Sequence, residues 1–153
     1  MEITFVDGKG PLSPEHLAQV EGALGVAFPA GYREFMLEHN GGRTSKRDFV
    51  FAEESGPYTD GSVRGFYSID DSSSLGLEAT FKVYCQVKPP RIPRDMIPIA
   101  RDSFGNQICI GVSGPRCGYV YFWDHENEDE DEPTYRNMHL VAKSFQEFLA
   151  QLT

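Results

Sequence analysis

Basic side chains, cysteines and long apolar runs are all scarce in this chain. Its 153 residues contain 14 Lys and Arg against 23 Asp and Glu, which gives a formal net charge of −9. Because phosphate contacts need clustered Lys and Arg, this balance argues against direct binding to nucleic acid or to anionic membranes. No stretch approaches the ~18 consecutive apolar residues of a membrane span, and Glu2 and Asp7 stand where a secretion signal has basic and then apolar residues. We therefore expect a cytoplasmic protein without a membrane anchor.

Residue patterns that support catalysis or metal binding are also missing. The three cysteines, Cys85, Cys109 and Cys117, are an odd number without paired spacing, which does not predict disulfides. We expect Cys109 to be a buried thiol within a strand, and Cys117 to be the accessible one, in a hairpin loop. The four histidines form no H-x-x-x-H or H-E-x-x-H pattern, and no phosphate-binding glycine loop is present. The sequence therefore predicts no metal, no cofactor and no enzymatic activity.

The hydrophobic pattern predicts one α+β domain that covers residues 1–153. Hydrophobic residues make up 40% of the chain and aromatic residues 12%, which is typical of a globular protein rather than a disordered one. Ser13 followed by proline indicates a helix start, and a second helix is expected from about Pro29. Ser144 and Glu147 form a capping box that begins a C-terminal helix. This order, without β-α-β alternation, predicts a single mainly antiparallel β-sheet with the N-terminal helices and the C-terminal helix packed against it.

Short alternating apolar runs predict the strands. The expected strands are residues 3–5, 49–51, 63–69, 108–112 and 119–123, with further apolar runs at 96–100 and 138–142. The clearest hairpin joins 108–112 to 119–123 through a loop that contains glycine and proline. A polar loop is expected between the strands at 49–51 and 63–69. Residues 70–74 indicate either a turn or the start of a helix.

An acidic loop, residues 126–132, is the most unusual stretch of the sequence. Its six acidic residues are Glu126, Glu128, Asp129, Glu130, Asp131 and Glu132. A block of like charges repels itself, remains solvated and often serves as an interaction segment. The loop is therefore either merely solvated or a surface that faces a protein partner. In the second case a buried aromatic anchor is also needed, and Trp123, or neighbouring Tyr119 or Tyr121, is the candidate. Ordinary packing in the core or on the sheet face is the other interpretation of these aromatic residues.

Four motifs follow one another along the chain. The first motif comprises residues 24–29, residues 32–36 and Asn40-Gly41-Gly42. The second spans residues 97–110 and includes Asp102, Gly105 and Asn106. The third is residues 118–126, and the fourth is residues 142–149. Their order resembles the SUKH superfamily, the domain of Smi/Knr-type cell-wall regulators and of many bacterial immunity proteins. The resemblance covers roughly residues 12–152, and it implies the same α+β fold.

The resemblance implies a protein-binding module, because the family has no agreed catalytic residues to transfer. In bacteria it implies a cytoplasmic immunity protein that binds and neutralises a specific toxin, often a nuclease, of a polymorphic or contact-dependent toxin system. An acidic protein can enter a basic nuclease groove in place of the phosphate backbone, so we expect a basic toxin domain as the partner. The alternatives are a regulatory or scaffolding adaptor of a cellular enzyme, such as one in cell-wall synthesis, and an enzyme or small-molecule binder.

Overall fold

The computed structural model describes residues 3–52, 58–73 and 75–153. The helices are α1 (Pro14–Leu24), α2 (Ala30–His39), α3 (Leu77–Cys85) and α4 (Phe145–Gln151). The strands are β1 (Phe5–Val6), β2 (Arg43–Thr44), β3 (Asp48–Ala52), β4 (Tyr58–Ser62), β5 (Gly65–Phe66), β6 (Met96–Arg101), β7 (Gln107–Gly111), β8 (Val120–Trp123) and β9 (Met138–Ala142). Short 3₁₀ helices cover Gly114–Arg116 and His125–Asn127. The centre of the predicted polar loop, residues 53–57, and Ser74 of the predicted turn lie outside the described residues.

A five-stranded antiparallel sheet organises the fold, in the order β5-β6-β7-β8-β9. The predicted hairpin is present as β7 and β8, where Ile108 pairs with Phe122 and Ile110 pairs with Val120. The α+β class and the antiparallel pairing are thus confirmed. The prediction of one sheet needs a correction, because β1 pairs with β2 and β3 pairs with β4 in two separate antiparallel ladders. The β3–β4 ladder lies against β9.

Helices α1, α2 and α4 cover one face of the five-stranded sheet, and α3 contributes side chains to both faces. Period-two alternation sends Ile108, Ile110, Val120 and Phe122 into this main core. The helices contribute Leu17, Tyr32, Met36, Phe81 and Phe148 to the same cluster. The predicted helix starts are confirmed for α1 and α4, whose N-cap residues Ser13 and Ser144 accept hydrogen bonds from backbone N–H groups three residues later, at 3.1 and 3.0 Å.

The opposite face of the sheet carries a second, smaller hydrophobic cluster. Its buried members are Ile92, Met96, Cys109, Trp123 and Met138, and Tyr84, Tyr121 and Tyr135 pack against them. The segment that follows α3 and the loop between β8 and β9 cover this face. The acidic loop therefore lies next to a structured surface.

The Asn-Gly-Gly stretch after α2 has a structural role. The buried Asn40 side chain donates to the carbonyl of Ile69 (3.0 Å) and accepts from the N–H of Ile69 (2.7 Å). Gly42 has φ +105°, and a Cβ there would lie 2.5 Å from the backbone oxygen of Val6, so only glycine fits. This motif joins α2 to the β5 region and is explained without a partner.

Two predictions about the middle of the chain are corrected by the structure. The strand expected over residues 63–69 is limited to Gly65–Phe66. It ends early because the Asn40 side chain takes both backbone groups of Ile69, while the carbonyl of Ser68 accepts from the N–H of Leu77 at 2.9 Å. The second difference is α3, which begins a few residues after the predicted turn or helix start.

Candidate functional site

The acidic loop is attached to the rest of the protein by the chain's own arginines. Glu128 accepts two hydrogen bonds from Arg91, at 3.2 Å from Nε and 2.8 Å from Nη2. The Arg91 guanidinium also lies over the rings of Tyr84 (4.6 Å) and Trp123 (5.5 Å). The hydrogen bonds to Glu128 raise the pKa of Arg91 above its usual value. This two-pronged pairing holds the loop over the second hydrophobic cluster.

Two more acids of the loop form ion pairs within the chain. Asp129 accepts from the hydroxyl of Thr134 and from Arg136 (3.0 Å), and these contacts, the hydroxyl first, lower the pKa of Asp129. Glu132 accepts from Nη1 of Arg94 at 2.9 Å. Half of the acidic residues predicted to face a partner are therefore neutralised by arginines of the same chain.

The other three acidic residues of the loop project into solvent. Glu126, Glu130 and Asp131 are exposed. Their carboxylates make no ion pair with any residue in the described part of the chain. An exposed carboxylate without an ion pair is accessible to a cationic group of a partner. The loop therefore combines three carboxylates that hold its structure with three that face solvent.

Trp123 is buried within the protein itself, which favours the alternative interpretation, ordinary packing, over a direct anchor for a partner. Strand alternation turns it toward the second cluster, where its side chain has 0% exposure. Tyr84 contacts it edge-on, with 5.5 Å between ring centroids, and Arg91 covers it. Of the other two predicted aromatics, Tyr121 packs on the same cluster beside Tyr135 at 6.3 Å, and Tyr119 is half-buried. Trp123 and Tyr121 thus belong to the packing of this face of the sheet.

An open groove begins where the acidic loop leaves β8, and the sequence reasoning missed it. It encloses about 810 Å³ between the β3–β4 ladder, the turn that joins β6 to β7 and the start of the acidic loop. Its floor is aromatic, because Phe49, Phe51 and Phe122 line it, with Phe51 stacked on Phe122 at 4.6 Å. Two exposed apolar side chains, Val50 and Phe104, stand at its sides.

The charged residues that line this groove all have the same sign among the described residues. They are Asp48, Asp60, Asp102, Asp124 and Glu126. Glu126 belongs to both the groove and the acidic loop, so the two acidic features meet at this residue. Such a surface attracts cationic groups and repels phosphates.

The thiols and histidines do not converge on this surface in a way that suggests chemistry. Burial raises the pKa of Cys85 to about 12 and raises that of Cys109 well above the usual thiol value, while Cys117 is exposed. The Nδ1 atom of His125 lies 2.6 Å from the side-chain oxygen of Asn106. Within the described ranges, no group of three or more His, Cys, Asp or Glu is placed to hold a metal ion. Equally, no helix in those ranges is long and apolar enough to cross a membrane.

Comparison with known proteins identifies the family. The model of the SMI1 / KNR4 family (SUKH-1) matches residues 11–151, and the chain belongs to this family. The resemblance predicted from the four motifs is thereby confirmed. The chain is 28% identical, over 168 aligned positions, to the SPbeta prophage-derived uncharacterized protein YokK of Bacillus subtilis (strain 168), covering 99% of this chain and 81% of the relative. It is also 52% identical over 41 residues to uncharacterized protein YnaB of the same strain, covering 27% of this chain and 28% of that relative.

Proposed function

We propose that this chain is an immunity protein that binds and neutralises a cognate toxin in the cytoplasm. The observation that carries the proposal is the acidic loop, in which Glu126, Glu130 and Asp131 are exposed and form no ion pair with the described residues. Six crowded carboxylates contribute little to folding by themselves. Three of them are compensated internally, and the other three are free for a partner.

The charge of this surface favours a basic toxin domain, such as a nuclease, as the partner. An enzyme that acts on nucleic acid carries a basic groove for phosphates. Opposite fields raise the association rate of two proteins by orders of magnitude at low salt. An acidic surface that occupies such a groove excludes the nucleic acid without any catalytic step, so the proposed mechanism is inhibition by binding.

The origin of the relative supports this reading over an adaptor of cell-wall synthesis. The relative that aligns along nearly this whole chain is described as prophage-derived. Accessory genes that travel with mobile elements suit toxin defence better than a housekeeping role. The protein-binding character is what both readings share.

The test takes candidate toxin domains from the genes that neighbour this one and measures association at several salt concentrations. The loop variant is Glu126→Gln, Glu130→Gln and Asp131→Asn. The matched variant, Glu15→Gln, Glu34→Gln and Glu38→Gln, changes the net charge equally on the exposed sides of α1 and α2. We expect the loop variant to slow association by about tenfold at low salt, and the helix variant to slow it far less. The difference should shrink as the Debye length falls from ~30 Å at 0.01 M salt to ~8 Å at 0.15 M.

Two results would contradict the proposal. The wild-type chain could fail to bind the toxin domain or to protect cells that express it, which would end the immunity assignment. Alternatively, the two variants could associate at the same rate at every salt concentration, which would leave the loop as a solvated segment.

A further inference from the structure

An aromatic side chain stands exposed at the edge of the acidic groove. Phe104 is 79% exposed, more than any other large hydrophobic residue in the described ranges. It occupies the turn between β6 and β7, and it lines the groove together with Val50, which is also exposed. Folding gains nothing from an aromatic ring left in water. A ring in this position is instead suited to contact a partner, because buried aromatic residues dominate the energetics of interfaces.

The turn that carries Phe104 is held rigidly by side-chain hydrogen bonds. The carboxylate of Asp102 accepts from the N–H groups of Phe104 (2.8 Å) and Asn106 (2.9 Å), and from the side-chain amide of Asn106 (2.7 Å). The Asn106 oxygen in turn accepts from the N–H of His125 at 3.0 Å. Gly105 has φ +90°, and a Cβ there would lie 3.4 Å from the His125 ring. The Phe104 ring is therefore carried by a well-ordered turn, which lowers the entropy cost of binding through this ring.

We propose that this groove is a docking site for a basic segment of a protein partner. The segment inserts an apolar side chain beside Phe104, over the aromatic floor, and places Lys or Arg side chains against Asp48, Asp60 and Glu126. The volume of the groove accommodates a few side chains of a peptide rather than a whole domain. The site rests on the proposed function in one respect, since it assigns the basic segment to the toxin domain.

Charge complementarity selects this occupant over the others. The exposed carboxylates at the rim of the groove, Asp48, Asp60 and Glu126, oppose nucleic acid and anionic lipid. A metal ion alone would need converging ligands, which the described residues do not supply, and it would leave Phe104 uncovered. A partner that is both cationic and apolar satisfies the rim and the ring together. A basic protein segment has this chemistry.

The first experiment uses peptides and does not depend on the toxin. A phage-displayed library of random dodecapeptides is selected on the wild-type chain, and the enriched peptides are synthesised and titrated by calorimetry. We expect sequences in which Lys or Arg flanks an aromatic or aliphatic residue. Phe104→Ser should weaken their binding at least about tenfold, whereas Val83→Ser, at a half-exposed apolar position on α3 that is not part of the groove, should leave it unchanged. Circular dichroism controls the fold of both variants.

The charge of the rim is tested in the same titrations. The variant Asp48→Asn, Asp60→Asn and Glu126→Gln should weaken the selected peptides and flatten the salt dependence of their affinity. The α1 and α2 variant described above should do neither. Selected peptides without basic residues, or peptides that bind Phe104→Ser as well as the wild type, would overturn the docking site.

The toxin domain then separates the two proposals. If the wild-type chain binds it and Phe104→Ser binds it equally well, the groove proposal fails and the immunity proposal stands. If the wild-type chain does not bind it while basic peptides still require Phe104, the immunity proposal fails and the docking site stands. A loss of toxin binding by Phe104→Ser, mainly through faster dissociation, supports both.

Discussion

The pair formed by Arg91 and Glu128 should control whether the acidic loop stays closed over Trp123. Arg91→Ala removes two charge-assisted hydrogen bonds of 3.2 and 2.8 Å and two cation–π contacts at 4.6 and 5.5 Å. Hydrogen bonds to charged groups stabilise by about 1.5–3 kcal/mol and cation–π contacts by about 0.5–1 kcal/mol. The two side chains are 37% and 26% exposed, so water screens part of this. We expect a loss of about 2–3 kcal/mol in the free energy of unfolding, or roughly 5–10 °C in Tm.

The sole tryptophan of the chain provides a local reading of this change. Trp123 is fully buried beneath Arg91, so its emission should shift to longer wavelength in Arg91→Ala at a temperature where far-ultraviolet circular dichroism is unchanged. Arg91→Lys keeps the charge without the planar fork and should fall between the wild type and alanine. A double-mutant cycle with Glu128→Gln should give a coupling energy of about 1 kcal/mol.

The matched control is Arg94→Ala, because Arg94 and Glu132 are far more exposed, at 68% and 64%. This pair should contribute less than about 1 kcal/mol. Equal losses at Arg91 and Arg94, or unchanged Trp123 emission in Arg91→Ala, would show that the loop is not held by the geometry described here.

Four further outcomes follow from the core, the backbone and the thiols. Phe148→Ala should lower the free energy of unfolding, measured by chemical denaturation, by about 3–5 kcal/mol, because its ring is fully buried. Unchanged stability would show that α4 does not pack as described. Gly42→Ala should destabilise strongly and Gly22→Ala should not, since a Cβ at Gly42 meets a backbone oxygen at 2.5 Å whereas one at Gly22 meets nothing within 4 Å; equal melting temperatures would contradict this. A thiol reagent at pH 8 should modify Cys117 alone in the folded protein and three thiols after unfolding. Burial raises the pKa of Cys85 in the folded protein to about 12. The contribution of this thiol to the free energy of unfolding is therefore complete below the unfolded thiol pKa and is lost as the pH rises from about 9 toward 12. A free energy of unfolding that is constant over that range would refute the burial of Cys85.

Local signals near the two ends of the chain were sufficient to predict α1 and α4. Ser13 before a proline and the Ser144–Glu147 capping box are chemical start signals, and both helices begin there. Helix α3 was not predicted as a defined element because its N-cap residue is Gly76, which has no side chain to cap the helix. Its apolar residues Leu77 and Phe81 are four apart, which is the periodicity that could have indicated it.

Tertiary partners explain why the candidate site was predicted only in part. The acidic loop was identifiable from composition, but two of the three arginines that pair with it lie 37 and 38 residues away in sequence from their partners, at Arg91 and Arg94. Sequence alternation placed Tyr121 and Trp123 on one face of β8. It did not show that this face is covered, because the covering segment comes from another part of the sequence. Phe104 had a weaker signal, a single aromatic residue inside the polar turn formed by residues 102–106.

The division of the acidic residues also constrains how a partner can approach. Glu128, Asp129 and Glu132 are held by arginines, so a partner that engages them must displace a cation that is already in place. Glu126 requires no such exchange, and it lies where the acidic loop meets the groove. Glu126 lies in the same groove as Phe104, so in the proposed docking mode we expect a basic segment to contact Glu126 there and to extend along the loop toward Glu130 and Asp131. We therefore expect attraction by the loop to affect association and anchoring in the groove to affect dissociation, so that variants at Glu130 and at Phe104 alter different rate constants.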